Sequence, residues 1–242
     1  MDLTERREVA QFAVGRDPRH MAITSNGQKA YIAVWGSHYV SKVDISGLSG
    51  ARTEENLRSV REVNRISMRS DSHPYSVAIE PGEKRLFVAN THSPLLAVVN
   101  LESDKLESEV DLGSIGARAV AFSPDGKYVL VTIENTSEVV VIDRAGLVVS
   151  KVIEVGSGPR GLAVEPVTST LYISAFRRTK TGLTGTVVQP DSLSVVDLKQ
   201  SLQSSKAGEG ISSAPVGKGS CSVSVLDLTK LQRTELEPAK AV

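Results

Sequence analysis

GSIGARAVAFSPDGKYVLVT, residues 113–132, decides the fold. It opens on a run of small apolar residues, RAVAF, turns at SPDGK and continues into YVLVT, which is rich in β-branched and aromatic side chains. The Asp-Gly pair supplies the positive φ angles that a tight hairpin turn needs, so the stretch reads as two paired strands. Three other stretches fall into the same register: GRDPRHMAITSNGQKAYIAV (15–34), SDSHPYSVAIEPGEKRLFVAN (70–90) and GSGPRGLAVEPVTSTLYIS (156–174). They place Ala22, Ala78, Ala121 and Ala163 on one column, 56, 43 and 42 residues apart. Short apolar runs that repeat every roughly 40 to 50 residues predict the blades of a β-propeller.

Each repeat continues into a third apolar run: YVSKVDI, LLAVVNL, EVVVID and SLSVVDL. A fifth such run, SVSVLDL, stands at 222–228. Asp44, Asn100, Asp143, Asp197 and Asp227 close these runs, and their side chains are expected to cap the turn into the outer strand through nearby backbone N–H groups. The innermost runs are small, as a crowded strand beside the axis requires. The fold reads as all-β, a β-propeller of four recognisable four-stranded blades plus an incomplete fifth. The blades span about 15–67, 70–111, 113–155 and 156–216, a remnant at 220–228 pairs with an outer strand at 7–14, and 229–242 form a tail. That pairing would hide two strand edges. The alternative is an open arc, completed by a second copy of the chain or belonging to a longer protein.

Composition narrows the function classes. The 242 residues carry 28 basic and 28 acidic side chains, so the bulk charge asks for neither nucleic acid nor an anionic membrane. No apolar run approaches the about 18 residues of a membrane-spanning helix. The opening MDLTERREVAQF lacks the continuous apolar stretch of a signal peptide, so no export signal is expected and the compartment stays open. Cys221 is the only cysteine, which excludes an intramolecular disulfide and any metal site built from several cysteines. It reads as a small buried hydrophobe.

Three segments interrupt the period. Residues 46–65 are polar, with Thr53 to Arg65 read as a solvated loop or a short helix over one end of the ring. The stretch 177–191 carries Arg177, Arg178 and Lys180 beside Gly182 and Gly185, and long loops on a rigid β scaffold are where binding residues gather. Residues 199–220 are Ser/Gly-rich and read as a linker.

The candidate site lies three residues before the register alanine, where the column holds Arg19, Tyr75, Arg118 and Arg160, with His20 and His73 close by. If the inner strands surround an axis, these side chains converge on one mouth of the channel as a positive funnel. Guanidinium groups take carboxylate or phosphate through paired hydrogen bonds, which implies an anionic ligand. The same arginines also suit structural caps on loop carbonyls between blades. His20, His38, His73 and His92 are the only histidines, and no metal-binding histidine pair appears in the sequence, so neither metal nor cofactor is expected. His20 and His73 are the pair that would meet at the mouth. Trp35 and Phe176 read as packing between blades. No glycine-rich phosphate loop, nucleophile elbow or haem-attachment motif is present.

FVAN at 87–90 and SPDGK at 123–127 resemble the YVTN-type β-propeller repeats, a likeness that extends over about residues 9–200. The resemblance implies a family of usually seven-bladed propellers that includes surface-layer repeats, accessory propellers of redox proteins and lactonase-like enzymes. One fold with several functions leaves the choice to the site. The main reading is a non-enzymatic binding or scaffold propeller, whose loop-rich face and basic mouth meet a protein partner or a small anionic ligand. The alternative is a lactonase-like hydrolase or isomerase of an anionic sugar derivative. In that reading Arg118 and Arg160 hold the substrate's carboxylate or phosphate, and His20 or His73 moves a proton.

Overall fold

The computed structural model describes residues 8, 10–49, 53–176, 179–182, 185–188, 192–203 and 211–215. Blade 1 consists of β1 (Pro18–Ile23), β2 (Lys29–Val34), β3 (Tyr39–Asp44) and β4 (Arg61–Ser67), hydrogen-bonded in that order. Blade 2 repeats the pattern with β5 (Pro74–Ile79), β6 (Arg85–Asn90), β7 (Leu95–Asn100) and β8 (Lys105–Asp111). Blade 3 is β9 (Ala117–Phe122), β10 (Tyr128–Ile133), β11 (Glu138–Asp143) and β12 (Val148–Glu154). In blade 4, β13 (Pro159–Val164) and β14 (Thr170–Ala175) are followed by an inserted hairpin, β15 (Thr179–Gly182) with β16 (Gly185–Val188). The blade then resumes with β17 (Ser192–Asp197) and β18 (Ile211–Pro215).

Local chemistry makes these hairpins. Between β9 and β10, Gly126 adopts φ 68, and Asp125 Oδ1 accepts the Lys127 N–H at 3.1 Å. The capping expected of the third strands is seen at Asp44 and Asn100. Asp44 Oδ1 accepts the Ser46 N–H at 2.9 Å, and Asn100 Oδ1 accepts those of Glu102 and Ser103 at 3.0 and 2.9 Å.

The core lies between blades. Tyr31, Val40 and Ile66 of blade 1 meet Val77, Leu86 and Val99 of blade 2. Phe87, Leu96 and Val98 of blade 2 meet Val120, Val131 and Ile142 of blade 3. Leu130, Val139 and Val141 of blade 3 meet Leu171, Ile173 and Val196 of blade 4. Second strands are therefore buried on both faces wherever a blade has two neighbours, which is why β6 and β10 are apolar almost throughout. Each such Leu, Ile, Val or Phe contributes about 1.5–3 kcal/mol by leaving water.

Several expectations are corrected. The segment 53–65 is not one helix or loop: α1 occupies only Glu54–Ser59, capped by Thr53 Oγ1 on the Asn56 N–H at 3.2 Å, and Arg61 already begins the outer strand of blade 1. The supposed linker 199–220 contains most of a helix, α2 (Leu198–Gln203), and the outer strand β18. Within 7–14, residues 10–14 form no strand. What stands for a fifth blade on that side is this irregular segment, whose Phe12 and Val14 pack on the far face of blade 1 over Ile32, Val34 and Val43. Residues 220–228 and the tail 229–242 lie outside the described residues. The inner strand of blade 1 is not crowded either: Met21 and Ile23 are 57% and 53% exposed.

Candidate functional site

Chain order places the β2–β3 and β4–β5 connections, and their equivalents in later blades, on one rim, which is the rim where the inner strands begin. At that rim each inner strand carries a β-bulge in the same place. The register skips between Pro18 and His20, between Pro74 and Ser76, and between Pro159 and Gly161. In blade 3 the shift falls opposite Val131–Ile133, at Arg118 and Ala119. The extra residues are thus Arg19, Tyr75 and Arg160, with Arg118 in the blade 3 bulge. A bulge leaves its residue unpaired and re-aims the side chain. The sequence column of candidate residues is therefore a column of bulges.

A second column faces the first. Trp35, Thr91, Glu134 and Phe176 follow the second strands, and each donates its backbone N–H to the residue before an inner strand: Asp17, His73, Gly116 and Gly158, at 3.0, 3.0, 2.9 and 2.8 Å. All four of those acceptor residues have positive φ, 62, 51, 99 and 68. The sequence reading missed Glu134. The signal that could have found it is a constant offset, since Trp35, Thr91, Glu134 and Phe176 each stand 13 residues after a register alanine.

Glu134 organises the blade 3–4 side of the rim. Its side chain is 4% exposed and lies between two guanidinium groups. Arg160 Nη2 donates to Oε1 at 2.9 Å, and Arg118 Nε donates to Oε2. Burial pushes this carboxyl up, but the hydrogen bonds and charges of Arg160 and Arg118 outweigh it and hold the group below its ordinary value. The arginines rest on aromatic faces: Arg118 stands 4.6 Å from the Tyr75 ring centroid and Arg160 4.0 Å from that of Phe176. Phe176, expected as packing between blades, is 44% exposed and serves instead as a platform for the Arg160 cation. On the blade 1 side, Arg19 pairs with Asp17 at 2.9 Å and lies over Trp35 and Tyr75, at 5.4 and 5.9 Å from their centroids. The three arginines expected to form a positive funnel are therefore partly neutralised, Arg19 by Asp17 and Arg118 and Arg160 by the one carboxylate of Glu134 that they share.

Between these groups three imidazoles collect. His73 lies 4.4 Å from His38 and 4.1 Å from His92, centroid to centroid, with Trp35 4.5 Å away. Trp35 Nε1 donates to Thr91 Oγ1 at 3.0 Å, which spans blades 1 and 2. Burial, then the charges of His73 and Arg118, hold His92 below the ordinary imidazole value. His73 thus meets His38 and His92, whereas His20 stands apart, its Nδ1 accepting the Val77 N–H at 3.4 Å. Desolvation lowers the His20 pKa. Of the loop cations, Arg177 and Arg178 lie outside the described residues, and Lys180 falls on β15 of the hairpin inserted at this same rim. Two hollows of about 430 and 580 Å³, lined by residues such as Asn26, Lys84, Glu80 and Pro81, open on the opposite rim and share none of these groups.

Solved structures share the architecture at low identity. Hydrazine synthase of Kuenenia stuttgartiensis is similar at 20% identity and a TM-score of 0.63, over 78% of this chain and 48% of that one. The periplasmic gluconolactonase PpgL of Pseudomonas aeruginosa matches at 18% and 0.63, over 83% and 54%. A putative 6-phosphogluconolactonase of Bacteroides uniformis matches at 12% and 0.56, over 74% and 57%. The chain thus spans about half the length of these structures, whose likeness speaks to fold alone. No curated protein matches it significantly in sequence. The family model described as lactonase, 7-bladed beta-propeller, covers residues 1–148, more than half of the 242, and with those residues forming blades 1 to 3 almost entirely, the chain belongs to that lactonase family.

Proposed function

We propose that this chain acts as a lactonase-type hydrolase, or an isomerase of the same chemistry, on an anionic sugar lactone. The observation that carries the reading is the Arg118–Glu134–Arg160 trio at the bulged rim. A buried carboxylate orients two guanidinium groups that keep 22% and 38% of their side-chain surface in solvent. Such a pair has two uses in lactone opening. One guanidinium holds the substrate's phosphate or carboxylate through paired hydrogen bonds, and the other stabilises the negative charge that grows on the carbonyl oxygen when water attacks. Proton movement to the departing ring oxygen falls to His92, the imidazole of the cluster on which the Arg118 charge acts. Family membership, and the gluconolactonase and 6-phosphogluconolactonase names of structural neighbours, support this reading over a non-enzymatic scaffold. The FVAN and SPDGK signatures support grouping its repeats with the YVTN type.

The test is hydrolysis of 6-phosphogluconolactone and of uncharged gluconolactone, corrected for spontaneous opening. Arg118→Ala with Arg160→Ala is expected to lower kcat/KM on the phosphorylated lactone by about 100-fold or more, with a smaller loss on the neutral one. Equal rates for parent and double variant, or no turnover by the parent, overturn the reading.

A further inference from the structure

We propose that His38, Asp71 and His73 form a binding site for a divalent transition-metal ion of the Zn²⁺ class at the seam between blades 1 and 2. Each offers one donor atom, and the three atoms lie within 4.8 Å of one another. His38 comes from the β2–β3 connection of blade 1, while Asp71 and His73 come from the connection that leads into β5. The site would therefore tie two loops that only the packing of the repeats brings together.

Two further observations point the same way. His73 Nδ1 lies 3.0 Å from the Trp35 carbonyl oxygen, which can only accept. The ring proton accordingly sits on Nδ1 and leaves the Nε2 lone pair free, the arrangement that a metal-ligating imidazole takes from its supporting backbone. His38 Nδ1 is buried without a hydrogen-bond partner among the described residues, and a buried nitrogen so placed is satisfied by an ion that accepts its lone pair. The backbone also accommodates these side chains at a cost. His38, Asp71 and His73 have φ of 55, 60 and 51, and at the position equivalent to His73 blades 3 and 4 carry Gly116 and Gly158. An imidazole stands where blades 3 and 4 use a residue without a side chain and blade 1 carries Asp17, also at positive φ.

Donor chemistry selects the ion. Two imidazoles and one carboxylate suit zinc and its borderline neighbours, whereas Mg²⁺ and Ca²⁺ require more oxygen donors. Asp71 supplies negative charge to this cluster, acting on His92 in the opposite sense to Arg118. Three protein ligands leave one position of a tetrahedral ion open to water or a ligand oxygen, on the rim that carries Arg118. This inference goes beyond lactone turnover, since binding is read without substrate.

Untagged protein would be titrated with Zn²⁺ by calorimetry and with Co²⁺ by visible absorption. One saturating equivalent is expected. His38→Asn and Asp71→Asn should each weaken it by more than about tenfold and remove the Co²⁺ bands. Asparagine tolerates the left-handed backbone of both positions, so the metal-free variants should keep the parent's circular dichroism and melting. A measurement on the unsubstituted chain guards against a variant that does not fold. Zn²⁺ should protect His38 and His73, and not His20, from diethyl pyrocarbonate, as read by peptide mass spectrometry. No saturable binding by the parent, unchanged affinity in folded variants, or equal labelling with and without Zn²⁺ would each overturn the site.

Discussion

Two carboxylates in this protein are each clamped by a pair of arginines, on opposite rims. Glu80 and Glu134 have the same side-chain exposure, 4%. At Glu80, Arg85 and Arg144 both reach Oε2 at 2.9 Å and tie blade 2 to blade 3. One further donor of each is taken up by backbone, that of Arg85 by the Arg144 carbonyl and that of Arg144 by the Pro81 carbonyl, each at 3.2 Å. At Glu134 no backbone carbonyl takes the remaining donors of Arg118 and Arg160 among the described residues, and the guanidinium groups stand on Tyr75 and Phe176, as Arg85 stands over Phe87 at the other rim. The same three charges thus make a staple tied to backbone on one rim and, on the other, an oriented guanidinium pair with donors to spare, which the proposed function assigns to an anion. What separates them is how many donors the backbone consumes.

Stability measurements can break this contrast. The largest effect is expected at the staple: Glu80→Ala leaves two partly buried arginines and several donors unmatched, and should lower the urea unfolding free energy by about 2–3 kcal/mol. A loss under about 0.5 kcal/mol would mean that Glu80 holds nothing together. A smaller effect appears with pH at Glu134. Its folded-state pKa lies below the ordinary 4.5, so its stabilisation is complete above 4.5 and fades as pH falls through the lower folded value. The urea midpoints of the parent and Glu134→Gln should therefore differ at neutral pH and converge in acid below 4.5. Divergence in acid would reverse the sign. The smallest effect belongs to Arg160→Ala. This side chain is 38% exposed, and its removal should change stability by less than about 1 kcal/mol while weakening binding of an anionic substrate. A loss as large as that at Glu80 would make the rim trio a second staple.

Much of the fold was legible because a blade is a local object. The alanine column, the Asp-Gly turn at 125–126 and the Asx residues closing the third strands depend on neighbours within a few residues, and the structure uses them accordingly. Edge positions were less legible. β14 reads TLYISA and alternates, with Leu171 and Ile173 buried against blade 3 and Tyr172 41% exposed, whereas its counterpart β10 is buried on both faces. The outer strands β4 and β18 hid in polar sequence because an outermost strand has little apolar surface to cover, so 53–65 and 199–220 looked like loop and linker.

At the rim the sequence supplied the column of Arg19, Tyr75, Arg118 and Arg160, and the structure explains its alignment as one bulge repeated in each inner strand. It did not disclose that Glu134 lies between Arg118 and Arg160, or that His73 meets His38 and His92 in place of His20.

Spacing along the chain, by itself, determined the strands, their turns and the repeat, since hairpin register follows from adjacent residues. Only the tertiary structure decided which loop of one blade faces which strand of the next. Such contacts join residues far apart in the chain, 26 positions for Arg160 with Glu134, 38 for His73 with Trp35 and 64 for Arg144 with Glu80, and depend on the angle at which apolar blade faces pack, which no single repeat encodes.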